Sequence, residues 1–377
     1  MDNQDNRVVQ TNLTPNIPVN FGNPDGLSEE EIQAMMQEFN LGDQSRETSE
    51  LALAGASEEN TEEYKFQTEN EFFNETNLTK KAQQFNSEMK INKAILAAEA
   101  DLASNEDNKE QWVLLGTLKQ EGDQDIEAIY CLKKAIALYG SDSSPEKNSA
   151  LVKLAVSYIN ECKLERCLST IKQWTIQNEK YPEVKATLEI EDLTEEAKEL
   201  EKVIKAIEKI TPEDTQLLTL LGVIAFTYPD FDAAAESFKN AVKADPKDYS
   251  LWNKLGAAFN NSLKSDKAII CYETAMKLRP NLPRGWNNLG VAYNQKEDYH
   301  NALRCFFNCL SLNPSAVTTW SYIQGVYISK GEFDKNDKIA ARDLDYFKTL
   351  FNIIDPNELP LPKTENLDES LQKVLEE

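Results

Sequence analysis

The chain holds one histidine, His300, in 377 residues. That scarcity removes most histidine-dependent triads, His-rich metal sites and imidazole acid–base schemes. Six cysteines (Cys131, Cys162, Cys167, Cys271, Cys305, Cys309) include no CxxC pair and read as reduced core thiols. Neither GxGxxG nor GxxxxGK[ST] occurs, so no phosphate-cradling loop is expected. No apolar run approaches the roughly 20 residues needed to span a bilayer, and the opening MDNQDNRVVQ lacks the basic and apolar zones of a signal peptide. Basic residues are also short: 40 Lys and Arg against 64 Asp and Glu give a net charge of −24. A binder of nucleic acid or of anionic membrane surfaces is therefore disfavoured. No catalytic residue, metal or cofactor is expected, while 41% hydrophobic residues suffice for a folded core.

The charge is unevenly spread. Residues 1–75 carry 17 acidic side chains against 3 basic ones, a net of −14, and are rich in Asn, Gln, Ser and Thr. Low hydrophobicity with high net charge cannot offset the entropy cost of folding, so most of this segment is expected to be disordered. One island interrupts it at residues 27–40. Ser28 and Glu31 form a capping box, and Ile32, Met35, Met36 and Phe39 follow i, i+3, i+4, i+7 spacing. This predicts a short amphipathic helix, marginal alone and suited to a partner's groove.

Further along, the chain repeats every 34 residues. Trp252, Trp286 and Trp320 keep that interval, as do Gly222, Gly256 and Gly290, then Ala234, Ala268 and Ala302, then Pro246, Pro280 and Pro314. W-x2-L-G-x2-[YF] followed by A, an aromatic, A and P is the tetratricopeptide signature, two antiparallel helices per repeat. Trp112, Leu115, Gly116, Ala128 and Ala135 fit an upstream copy, Leu151, Leu154, Ala155 and Tyr158 fit another, and a degenerate unit covers about 76–104. The expectation is an all-α superhelix of about seven helix-turn-helix repeats, the fourth distorted. Its divisions are a first triplet at 76–174, a distorted repeat or hinge at 175–212, a second triplet with the start of the C-terminal helices at 213–333, and a C-terminal helix and tail at 334–377.

If Trp, Leu, Gly and the aromatic are positions 4, 7, 8 and 11 of the first helix, positions 2, 5, 6, 9 and 13 face the concave side. Position 13 reads Glu121, Asn160, Thr227, Asn261 and Gln295, all polar. Positions 5 and 6 add Asn253, Lys254, Asn287 and Asn288, and position 2 adds Arg284. Carboxamides can satisfy the N–H and C=O groups of an extended peptide whatever its side chains. Lys254 and Arg284 put positive charge into a strongly acidic protein, which points to a terminal carboxylate as ligand.

Asp248-Tyr-Ser-Leu-Trp-Asn-Lys-Leu-Gly-Ala and Arg284-Gly-Trp-Asn-Asn-Leu-Gly-Val closely resemble receptors for the type 1 peroxisomal targeting signal, the peroxin-5 family. Trp112-Val-Leu-Leu-Gly-Thr and Leu154-Ala-Val-Ser-Tyr-Ile-Asn160-Glu extend the resemblance, which runs from about Tyr64 to about residue 333. It implies a cytoplasmic receptor that cycles to the peroxisomal membrane, with two triplets of repeats around a cavity for cargo ending in Ser-Lys-Leu or a variant. Asn160, Asn253, Lys254, Asn261, Arg284 and Asn288 match the family's ligand contacts, whereas Gly122 and Gln295 depart from asparagines there. The family's WxxxF/Y motifs and N-terminal cysteine are missing, since no Trp precedes Trp112 and no Cys precedes Cys131. Met35-Met-Gln-Glu-Phe39 resembles the family's variant motif for docking on a membrane partner of the peroxin-14 type. The alternative is another tetratricopeptide peptide-binding adaptor or a co-chaperone. A clamp for an acidic tail would want several basic residues, and this groove offers mainly amides.

The double change Met35→Ala and Phe39→Ala is expected to abolish retention of the docking protein in a pull-down while cargo binding stays intact, since these two side chains supply the apolar burial of the helix. Unchanged retention would assign docking to another part of the acidic segment.

Overall fold

The computed structural model describes residues 64–178, 180, 213–351, 353 and 367–375. The expected docking helix at 27–40 lies outside these residues, as does the expected hinge at 175–212 apart from its edges. Described helices are α1 (Leu78–Ser87), α2 (Ile91–Ser104), α3 (Lys109–Glu121), α4 (Asp125–Tyr139), α5 (Pro145–Asn160) and α6 (Leu164–Gln177). After the undescribed stretch come α7 (Thr215–Thr227), α8 (Phe231–Ala244), α9 (Tyr249–Asn261), α10 (Ser265–Leu278), α11 (Pro283–Gln295) and α12 (Tyr299–Leu312). α13 (Val317–Ser329), α14 (Asn336–Ala340), α15 (Leu344–Phe351) and α16 (Leu367–Leu375) complete the set. The protein is an all-α chain of consecutive tetratricopeptide repeats. Odd-numbered helices from α1 to α11 each pack antiparallel on the next helix, and each pair stacks on its neighbour.

The 34-residue spacing has a packing cause. A Cβ added to Gly222, Gly256 or Gly290 would come within 2.5, 2.6 or 2.6 Å of the Phe238, Tyr272 or Phe306 ring. Those rings are fully buried, so only hydrogen at position 8 lets the two helices of a repeat approach so closely. Trp252 and Trp286 donate Nε1–H to the Pro246 and Pro280 carbonyls at 2.8 and 3.2 Å. Proline, which has no N–H to continue the helix, stands just after the C-caps Asp245, Arg279 and Asn313. Tryptophan and proline recur in register because in these two repeats each pair fastens one inter-repeat turn.

Across the undescribed stretch, α7 packs directly on α5, and Trp174 Nε1 donates to Gln216 at 3.4 Å. At the N-terminal end, the described chain is packed from its first residue, Tyr64, inside the segment assigned by charge to 1–75. Its aromatics are the reason: Tyr64 and Phe66 lie against Trp112, with ring centroids 6.0 and 5.9 Å away, and Tyr64 donates to Glu99. At the other end α15 packs on α12 and α16 on α10.

Gly256→Ala tests the packing argument. Forcing a methyl against the Tyr272 ring should cost about 1–3 kcal/mol in urea unfolding, and an unchanged midpoint would show that the repeat tolerates wider spacing.

Candidate functional site

A tetratricopeptide superhelix contacts only neighbouring repeats unless something joins distant ones, and here several polar groups do. Arg279, the C-cap of α10, pairs with Glu121 at the end of α3 at 2.6 Å and donates to the Asn86 side chain at 2.7 Å. Arg284, in the first turn of α11, donates to the Gln120 carbonyl at 2.8 Å and pairs with Asp123 at 3.0 Å and with Asp125. Asn313 donates to the Gly122 carbonyl at 2.6 Å, Asn281 to the Met89 carbonyl at 3.2 Å, and Asn92 to the Leu312 carbonyl at 3.1 Å. The turns of the first repeats therefore meet the inter-repeat connections of the last ones, and the superhelix closes on itself.

This seam takes two of the residues expected to face a ligand. Glu121 and Arg284 are both nearly fully buried, at 7% and 6% exposure. Glu121 accepts from Tyr249 as well as pairing with Arg279. Arg284 was expected to meet a ligand carboxylate, and its guanidinium is instead matched by two carboxylates of the chain itself. Burial works against its charge, but Asp125 and Asp123 more than compensate and hold its pKa above the ordinary value. Asp125 has a raised pKa: burial dominates, Arg284 pulls it down and Asp123 pushes it up. Glu161, half-buried beside them, is pushed up to about 7, mainly by burial and then by the Asp125 charge.

Of the other expected residues, Asn160 donates to both Asp125 oxygens at 3.1 Å, which attaches it to the seam. Asn288 donates to Asn253 Oδ1 at 3.1 Å, joining α11 to α9, and Asn288 Oδ1 is buried without a hydrogen bond. Lys254, half-buried next to Asn253, reaches only the Ser250 carbonyl, at 3.4 Å. Burial, with Lys153 and Arg284 nearby and Asp248 opposing them, pushes its pKa down to about 8. Asn261 donates back to the Ala257 carbonyl at 2.9 Å and Gln295 accepts from Ser265 at 2.8 Å. Sequence reasoning missed Arg279, Asp123, Asp125 and Lys153. The first three lie in turns, at caps or in the opening turn of α4, where the repeat pattern carries no signal. Lys153 stands at position 6 of its helix, as Lys254 does, and the periodicity could have found it. Among the described residues no group of three or more His, Cys, Asp and Glu is arranged to hold a metal.

Tetratricopeptide-repeat family models match residues 249–282 and 283–316. The peroxisomal targeting signal receptor of Candida albicans is 30% identical over 164 residues, 41% of this chain and 26% of that protein. The receptor of the same name from Saccharomyces cerevisiae is 26% identical over 195 residues, 48% of this chain and 31% of that protein. Peroxisome biogenesis protein 5 of Arabidopsis thaliana is 30% identical over 176 residues, 47% of this chain and 23% of that protein. The chain thus spans about a quarter to a third of the length of these relatives. A thermophilic tetratricopeptide protein of Thermus thermophilus superposes over 58% of this chain and 99% of its own at TM-score 0.38 and 14% identity. None of these carries the name of an enzyme. The chain is a tetratricopeptide-repeat protein similar in sequence to proteins named peroxisomal targeting signal receptor, and no described helix is long and apolar enough to cross a membrane.

Removing the seam's central cation tests its weight. Arg284→Met leaves Asp123 and Asp125 buried without their partner, a change expected to cost about 3–5 kcal/mol at pH 8. Asp125 also loses the charge that lowers its pKa, so its protonated form is favoured further in the folded state. A carboxyl with a raised folded-state pKa loses stability as pH rises above its unfolded value. Urea unfolding should therefore show a smaller deficit for the variant at pH 5 than at pH 8, and an equal deficit at both would contradict the assignment.

Proposed function

We propose that the central cavity takes the extended C-terminal tail of a cargo protein ending in Ser-Lys-Leu or a variant, and that the chain carries such cargo from the cytoplasm to the peroxisomal membrane and cycles between the two. One observation carries the reading. The Asn253–Asn288 pair joins α9 to α11 beside Lys254, with the buried Asn288 Oδ1 still to be satisfied. A peptide N–H completes that acceptor, and the terminal carboxylate answers the Lys254 ammonium. Asn261 and Gln295, one helix face along, extend the row of amides for the upstream backbone. Asn160 and the half-buried Glu161 face the tail from α5 and its following turn, where a carboxyl suits the lysine of Ser-Lys-Leu.

The names of the relatives support this reading, since two are receptors for a peroxisomal targeting signal. Delivery then needs a membrane partner of the peroxin-14 type, for which Ile32, Met35, Met36 and Phe39 form the docking face. A co-chaperone clamp for a doubly acidic tail fits less well, because Arg279 and Arg284 are already neutralised within the chain.

Fluorescence anisotropy with the full chain and a labelled peptide ending in Ser-Lys-Leu tests the proposal. The free acid should bind at least about tenfold more tightly than its C-terminal amide, and Asn288→Ala should weaken binding by about 1–3 kcal/mol with little change in melting temperature. Affinity for the acid should also fall as pH rises through about 8, where Lys254 loses its proton. Equal affinity for acid and amide would refute the reading.

A further inference from the structure

Lys153 and Lys254 occupy the same place in their repeats, position 6 of the first helix, two residues after Leu151 and Trp252. They come from different parts of the superhelix, α5 before the undescribed stretch and α9 after it. They nevertheless lie within electrostatic reach of each other, and the Lys153 charge disfavours that of Lys254. Lys153 is half-buried, and among the described residues its ammonium has no hydrogen-bond or ion-pair partner.

The carboxylates near this pair are engaged elsewhere. Glu121 is held by Arg279 and Tyr249, and Asp248 caps α9 by accepting from the Ser250 N–H at 2.7 Å. Counting charges around the two ammonium groups, Asp248 leaves one positive charge unanswered, because Glu121 and Arg279 cancel. Arg284 does not add to it, since Asp123 and Asp125 already outnumber it. Among the described residues neither ammonium group is ion-paired with a carboxylate, and the two stand on different parts of the superhelix.

We infer that Lys153 is a second carboxylate-binding residue of the site, and that the terminal carboxylate of the cargo tail lies between Lys153 of α5 and Lys254 of α9. This deepens the proposed function and rests on it. One monoanion then serves two walls of the cavity: it relieves the repulsion between the ammonium groups and ties the early repeats to the late ones. Burial pushes both lysine pKa values down, with Glu121 and Asp248 opposing for Lys153, and a carboxylate between them works against that shift.

The experiment uses the full chain with Lys153→Met, Lys153→Arg and Lys254→Met, titrated with the labelled Ser-Lys-Leu peptide as free acid and as amide. Lys153→Met should bind the acid about tenfold more weakly, leave the amide unchanged, and keep its melting temperature. Lys153→Arg should restore acid binding. Lys254, freed of a like charge in Lys153→Met, should lose its proton at higher pH, so the alkaline fall in acid binding should move upward; a merely structural role for Lys153 would not move it. Acid binding by Lys153→Met equal to that of the unaltered chain, or an equal loss for acid and amide, overturns the inference and leaves the proposed function standing. Failure of the unaltered chain to bind either peptide overturns both.

Discussion

Everything about the cavity depends on the ion pairs that close the superhelix, above all Arg284 between Asp123 and Asp125. Stacked repeats fix only the geometry of neighbours, and small rotations per repeat accumulate along the array. Arg284 and Asp125 are 159 residues apart in sequence. Their contact sets the distance between the early and late repeats, which no local packing rule could set. Buried charge pairs are poor sources of net stability because desolvation cancels most of the attraction, but they are strict about geometry: a displaced partner leaves a charge buried and unanswered. A closed ring of repeats uses that strictness.

The same pairs decide the electrical character of the interior. Asp123, Asp125 and Glu121 would make the cavity as acidic as the rest of the chain if left unpaired. With Arg279 and Arg284 spent on them, the cations left beside them among the described residues are Lys153 and Lys254, whose pKa values burial pushes down. The site is therefore rich in amides, and its two arginines are answered by carboxylates of the chain itself. Asn160 connects the two functions, since the side chain expected to touch cargo donates to the Asp125 carboxylate of the seam.

Close helix packing is the other constraint, and it explains why so few positions recur. Gly222, Gly256 and Gly290 are fixed by the rings of Phe238, Tyr272 and Phe306, and the tryptophans by the carbonyls of the proline turns. Positions between them, on the concave side, are free of these demands. They can hold Asn, Lys or Leu without changing the fold.

The all-α repeat architecture was legible in the sequence because its causes are local: a glycine needed where two helices touch, a proline where a helix ends, a tryptophan whose indole fastens the turn, all recurring at 34 residues. The concave amides Asn253 and Asn288 and Lys254 were legible for the same reason, through helical periodicity. Arg284 was found as a position and not as a role, since its partners Asp123 and Asp125 lie in and just after a turn in a different repeat. Tyr64 and Phe66 show the same limit at the other end, where charge alone placed the boundary after them and their burial against Trp112 decided otherwise. Which cations are answered within the chain was decided only by tertiary structure, because a charge is neutralised by whatever lies within a few ångströms of it, and closure of the ring brings those neighbours from more than 150 residues away.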